Sequence, residues 1–225
     1  MRITYGLIIA NVLAFVALGT FDPVQQRALL ETFAFSGQNF LGGRPWTVLT
    51  SMFLHGSLVH IALNMLALFF FGHALEREVR SSEYALIYFG GGIAGNLLSL
   101  LVFPADQLSI GASGAIFALI GAAMLVKPFD FVAFPWVVPV PIIFIGVVMI
   151  VSNVLLFIAP PAGSDVSFAA HVGGLFAGLA YGLHKRGFVK GALLLAAGLV
   201  LFLLLYNVLG GLNVLDYTRF LGAPG

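Results

Sequence analysis

The chain has 225 residues, 60% of them hydrophobic and only 8% charged, with a formal net charge of +1 and a mean hydropathy of +1.07. A soluble domain carries about 25% charged residues, so this composition excludes an ordinary water-soluble globule and names lipid as the solvent. The small charge and the lack of a basic run interleaved with aromatics exclude nucleic acid as a partner, and the absence of cysteine excludes disulfides, thiolate metal ligands and a thiol nucleophile.

A hydrocarbon layer about 30 Å thick takes about 20 apolar residues per crossing helix. Seven stretches approach that requirement: residues 3–21, 58–75, 84–103, 113–126, 136–158, 168–183 and 188–209. The first has a short basic start and an apolar core that also fit a cleaved signal peptide, with Ala17-Leu18-Gly19 as a loose cleavage site. Its length suits a full span, which is the expectation. Residues 22–57 form the only long connection, where Phe33, Phe35, Phe40, Trp46 and Phe53 stand among polar residues and glycines. That mixture predicts short helices lying in the membrane interface. With short loops elsewhere and no convincing repeat, the chain reads as an all-α polytopic membrane helix bundle.

Orientation follows from the basic residues. Arg2, Arg77, Arg80, Lys127, Lys185, Arg186 and Lys190 fall on one side, and Arg27, Arg44 and Arg219 on the other. The positive-inside rule then makes the N-terminus cytoplasmic, and the even-numbered spans run from outside to inside. His60 and Asn64 open span two, Ser113 opens span four and His171 lies near the start of span six. All four are therefore expected at one level toward the outer face. Span four, at about 1.5 Å per residue, is about 21 Å long. Anchored by Lys127 at its inner end, it would hold Ser113 about 10 Å below the outer edge of the hydrocarbon, where hydrolysis requires a water-filled cavity.

Polar side chains in hydrocarbon are costly, and these four make a specific chemistry available. A serine hydroxyl becomes a nucleophile when a base takes its proton, and a neutral imidazole is the side chain best suited to do so. Ser113 and His171 supply that pair. All nine acidic residues fall in loops or at span ends; Asp165, the nearest before His171, belongs to a connecting loop. The reading is therefore a Ser-His dyad rather than a triad. A tetrahedral oxyanion needs preorganised donors. The unpaired first N–H groups of span four, together with His60 and Asn64 four residues apart on one helical face, can provide them. Gly111, in the run Gly111-Ala112-Ser113-Gly114, permits the turn and a close approach of substrate backbone, and is assigned to the same oxyanion site. Gly174, Gly178 and Gly182 in span six, facing Ala118 and Gly121 in span four, let two helices approach closely.

Each piece alone has a plainer meaning. Gly-Ala-Ser-Gly in a membrane helix is commonly packing, His60 with Asn64 an interhelical hydrogen bond, and His171 a satisfied buried histidine. Their joint occurrence at one depth favours chemistry. His73 and His184 lie at cytoplasmic span ends and receive no catalytic role. Gly90, Gly92 and Gly95 form a GxGxxG inside an apolar span, without a preceding strand or a following acid, and read as helix packing. No H-E-x-x-H and no aspartate within a span occurs, so neither a zinc protease nor an acid dyad is expected, and no cofactor or metal is implied.

Taken together, residues 46–55, the His60-x-x-x-Asn64 pair, Gly111-Ala112-Ser113-Gly114 and Ala170-His171 followed by glycines resemble the rhomboid intramembrane serine proteases. The resemblance implies Ser113 as nucleophile, His171 as its base, and His60 and Asn64 as oxyanion contributors. It makes His55 and Glu76 structural. It further implies a six-helix core around a water-filled cavity, here residues 1–187, plus a seventh helix in 188–225. Substrates would be transmembrane helices of other membrane proteins, reached through the lipid bilayer and cut near their outer ends. The location would be a cell inner or plasma membrane. Thr47 departs from the arginine that often follows tryptophan in the family, and Ala112 lacks the proline found beside the serine in inactive relatives. Two rival readings are a non-enzymatic relative that binds membrane helices and a transporter, the latter requiring paired acids or broken inverted repeats. Pro139 and Pro141 are expected to weaken the first turn of span five, making it the favoured gate.

Overall fold

Backbone polar groups in a hydrocarbon solvent must be satisfied within their own segment, which leaves helices as the economical solution for an apolar chain. The computed structural model describes residues 3–132, 139–159 and 167–211. Among them are ten α-helices: α1 (Ile3–Gly19), α2 (Pro23–Phe33), α3 (Gly37–Leu41), α4 (Thr47–Thr50), α5 (Leu58–Glu76), α6 (Ser81–Ser99), α7 (Ser113–Val126), α8 (Ile142–Ile158), α9 (Phe168–Arg186) and α10 (Phe188–Gly211). Two two-residue strands, β1 (Phe131–Val132) and β2 (Val140–Pro141), pair antiparallel. The fold is an all-α bundle, as expected.

Each of the seven predicted stretches contains one long helix. By length and composition alone, Leu58–Glu76 and Phe188–Leu205 suffice to cross a membrane, while α1, α7 and α8 are apolar but shorter. Boundaries moved where polar residues could finish a helix. α6 starts three residues before the predicted limit because Glu83 Oε2 accepts the Arg80 N–H at 2.8 Å, closing the first turn with a carboxylate. α8 starts at Ile142, with Pro141 as its N-cap. Both prolines thus precede the helix, which corrects the expectation that they weaken its first turn. Residues 136–138, Asp165, Arg2 and Arg219 lie outside the described residues.

α7 is the centre of the bundle. Every residue from Gly114 to Leu125 is buried, as befits a helix apolar all round. α5, α6, α8 and α9 surround it, α1 packs on α5, and α10 packs on α8 and α9. The outer helices present large apolar side chains outward, among them Leu13, Leu66, Leu86, Leu155, Phe176, Leu193 and Leu204. In water such a girdle would be a liability, whereas in a bilayer it is the ordinary surface.

Glycines set the tightest contacts. A Cβ on Gly174 would collide with the Gly114 carbonyl, one on Gly178 with the Ala118 carbonyl, and one on Gly121 would lie 2.6 Å from Leu175 O. The backbones of α7 and α9 therefore nearly touch, as the four-residue spacing predicted. The GxGxxG glycines of α6 serve packing too: Gly92 admits Met52, with Sδ at 2.7 Å from a Cβ position, and Gly95 admits the Ala170 backbone.

The long connection folds into α2, α3, α4 and a 3-10 turn at Ser51–Phe53. Asp22 caps α2 through Oδ1, accepting from Val24 and Gln25 N–H at 2.9 Å each. Phe35 and Ser109 exchange backbone hydrogen bonds of 3.1 and 2.7 Å, and Asn96 donates to Val48 O at 2.9 Å and Ser51 Oγ at 3.1 Å. Thr47, fully buried, donates to Arg44 O at 2.8 Å and so closes its own turn.

Adding a methyl where two backbones meet should cost about 1–3 kcal/mol by overpacking. Gly178→Ala is expected to lower the thermal midpoint in detergent accordingly. Gly90→Ala, whose Cβ would meet nothing nearer than Leu86 Cδ1 at 3.9 Å, should leave the midpoint unchanged or slightly raise it.

Candidate active site

Ser113 is the first residue of α7, and His171 lies in the first turn of α9. Gly174, one turn further along α9, lets that helix approach the Gly114 backbone, so the two side chains face each other across the narrowest part of the interface. Ser113 Oγ and His171 Nε2 are 2.8 Å apart, a hydrogen bond between residues 58 positions apart in the chain. Ser167 caps α9 by accepting the Ala170 N–H at 3.4 Å, and its hydroxyl pairs with Ser99 Oγ at 3.2 Å, tying the start of α9 to α6.

The imidazole has three further neighbours. Phe117, one turn beyond Ser113 on the same face of α7, stacks on the His171 ring with centroids 4.4 Å apart and planes 15° from parallel. Phe168 meets the ring edge-on at 6.1 Å. On the far side of the ring, His171 Nδ1 lies 2.9 Å from Oδ1 of Asn153, a buried residue of α8. Sequence reasoning missed both Phe117 and Asn153. No carboxylate stands within an apolar span, but an amide there is itself a signal of a buried polar contact.

His60 and Asn64 join the same locale. Ser57 caps α5 by accepting the His60 N–H at 3.1 Å, and Asn64 Nδ2 donates to His60 O at 3.1 Å. Gly111 has φ +119°, a conformation that favours glycine, and a Cβ there would lie 2.8 Å from His60 Nε2 and 3.8 Å from Asn64 Nδ2. All five residues singled out from the sequence are thus gathered at one end of α5, α7 and α9. The Gly111 N–H is given to Ser51 O at 2.9 Å, so what Gly111 supplies beside Ser113 is room rather than a donor.

His55 lies behind this group, fully buried, with its ring edge-on to His60 at 5.0 Å. Burial first, and the neighbouring His60 second, push its imidazole down to about 4 from an ordinary 6.5. Glu76 sits at the opposite end of α5 and accepts the N–H groups of Ile3 and Thr4 at the start of α1, where a carboxylate meets the positive end of the helix dipole. Charged pairs gather at that opposite end: Lys127 with Glu78 at 2.9 Å, Lys185 with Glu83 at 3.0 Å. His73, also there, directs Nδ1 to Phe69 O at 2.9 Å and touches nothing of the site.

The Rhomboid domain family matches residues 42–188, more than half of the chain and the whole of the site just described. The chain belongs to the rhomboid family. It is accordingly an integral membrane protein. Relatives include the mitochondrial RHOMBOID-like protein 12 of Arabidopsis thaliana, 28% identical over 203 residues, which are 82% of this chain and 59% of that protein. The rhomboid protease GluP of Bacillus subtilis is 34% identical over 205 residues, 89% of this chain and 38% of its own length. Rhomboid-like protease 3 of Toxoplasma gondii is 34% identical over 119 residues, 53% of this chain and 44% of its length. The chain therefore spans less than two thirds of these rhomboid relatives.

The His55 shift has a sign that can be read. As pH falls from about 6.5 to 4, the unfolded chain takes up a proton there and the folded one does not, so stability present at neutral pH is lost across that window. Thermal midpoints in detergent should fall on acidification, and His55→Gln should make that fall shallower.

Proposed function

We propose that the chain is an intramembrane serine endopeptidase that cleaves transmembrane helices of other membrane proteins. The observation that carries the reading is the 2.8 Å hydrogen bond from Ser113 Oγ to His171 Nε2, in a membrane protein of a family with protease-named members. Ser113 Oγ attacks the scissile carbonyl carbon while its proton passes to His171 Nε2. The carbonyl oxygen becomes an oxyanion facing the first-turn N–H groups of α7 and the side chains of Asn64 and His60, with Gly111 leaving room for the substrate backbone. Collapse breaks the C–N bond, and His171 returns the proton to the departing amine. A water then gives its proton to His171 and attacks the acyl-enzyme; the Oγ–acyl bond breaks, His171 returns that proton to Ser113 Oγ, and the new carboxyl end is released.

The same reading assigns residues 1–187 to the catalytic core and 188–225 to an appended helix. It also makes the N-terminus cytoplasmic and opens the site toward the outer face of a cell inner or plasma membrane. The basic residues Lys127, Lys185 and Arg186 at the end of the bundle opposite Ser113 support that polarity under the positive-inside rule.

The decisive experiment is labelling by a fluorophosphonate in membranes or detergent, paired with cleavage of a model transmembrane substrate. Ser113→Ala and His171→Ala should each abolish labelling and lower cleavage by about 10⁴-fold or more. Equal labelling of all three proteins would overturn the Ser113–His171 assignment. Asn64→Ala and His60→Ala should retain labelling but lower kcat by about 10²–10³-fold, as expected for lost oxyanion donors.

A further inference from the structure

α8 is written almost entirely in apolar residues, with Ser152 and Asn153 the exceptions. Ser152 returns its hydroxyl to its own helix, at 3.3 Å from Met149 O. Asn153 does something different. Its Nδ2 donates to Met149 O at 3.0 Å and its Oδ1 lies 2.9 Å from His171 Nδ1, while the residue is only 6% exposed.

The hydrogen-bond inventory fixes what each atom is. A backbone carbonyl can only accept, so the Asn153 group facing Met149 O must be the NH2 and the group facing His171 must be the carbonyl oxygen. That oxygen can only accept, so His171 Nδ1 must carry a proton. A neutral imidazole protonated at Nδ1 has its lone pair on Nε2, the atom 2.8 Å from Ser113 Oγ. One backbone carbonyl of α8 thus determines, through an amide and a ring, which nitrogen faces the serine.

We infer that Asn153 is a positioning residue that locks His171 in the Nδ1–H tautomer and aims Nε2 at Ser113. The inference rests on the proposed roles of Ser113 and His171 and adds a third member, an amide, where sequence reasoning saw only a dyad. An amide suits this site better than a carboxylate would, because it supplies the acceptor without placing a charge in low dielectric. Thiol proteases with a Cys-His-Asn arrangement use the same logic.

The test reads the ring directly. With histidine ring nitrogens labelled by ¹⁵N in detergent micelles, and His171 assigned by its loss in His171→Gln, the wild type should show a protonated Nδ1 and an unprotonated Nε2. Asn153→Ala should populate both tautomers and lower kcat by about 100-fold with KM within about twofold, as expected for a base left misaligned. Asn153→Asp keeps an acceptor at Nδ1 in either protonation state and should recover the tautomer and much of the rate. A wild-type His171 protonated on Nε2 overturns the inference whatever the variants do, and so does an Asn153→Ala protein with an unchanged tautomer. A loss of thermal stability alone, with tautomer and kcat intact, would mark Asn153 as packing and equally overturn it. Should wild-type Ser113 fail to label, the protease reading falls, while the tautomer measurement, which needs no activity, still decides the role of Asn153.

Discussion

Ser113 and His171 can meet because the backbones of α7 and α9 come almost into contact, and that approach depends on having no side chain at Gly174 and Gly178. In lipid there is no hydrophobic gain in bringing two apolar helices together, so van der Waals contact between small faces has to hold them. The consequences spread outward. α7 gives up every lipid-facing position and becomes the buried axis of the bundle. α6 must then present its own glycines to receive Met52 and the Ala170 backbone, and the serine and imidazole end at a distance fixed by backbone rather than by flexible side chains.

Polarity is handled in two ways in this bundle. At one end carboxylates and ammonium groups pair with each other or with helix termini, as Glu76 does with the start of α1 and Lys127 with Glu78. Inside the bundle, toward the other end, neutral polar groups pair instead: Asn96 with the first loop, Ser99 with Ser167, Asn153 with His171. Neutral pairs are the cheaper way to keep polarity inside hydrocarbon, and they hold the first loop against α6 without a charge.

Much of this was legible in the residues. Hydropathy located all seven long helices because the lipid solvent leaves little else for an apolar run to do. The level of His60, Asn64, Ser113 and His171 followed from the alternating direction of the spans, and the narrow α7–α9 interface from glycines every fourth residue. What escaped was long-range. The pairing of Phe35 with Ser109 and the bond from Gly111 N–H to Ser51 O have no local signature. Asn153 has one, an amide in an apolar span, but its partner on α9 is not written in the local sequence. Helix ends shifted where Glu83 or Pro141 supplied a terminus that hydropathy does not register.

α8 is gripped unevenly along its length. Its first half buries Ile142, Ile143, Ile145, Gly146 and Val147, with Gly146 against Met124 and α10 closing in through Gly198 against Val147 and Ile143. Of the second half only Asn153 is buried, while Leu155 and Ile158 are 60% and 72% exposed. A rod clamped at its foot and loose at its tip behaves as a lever. A sideways displacement of the tip would stretch the amide away from the imidazole first, while the serine, carried on the closely packed α7 and α9, would stay in place. The arrangement therefore ties the position of a helix with outward-facing apolar side chains to the His171 ring, with a single hydrogen bond as the linkage.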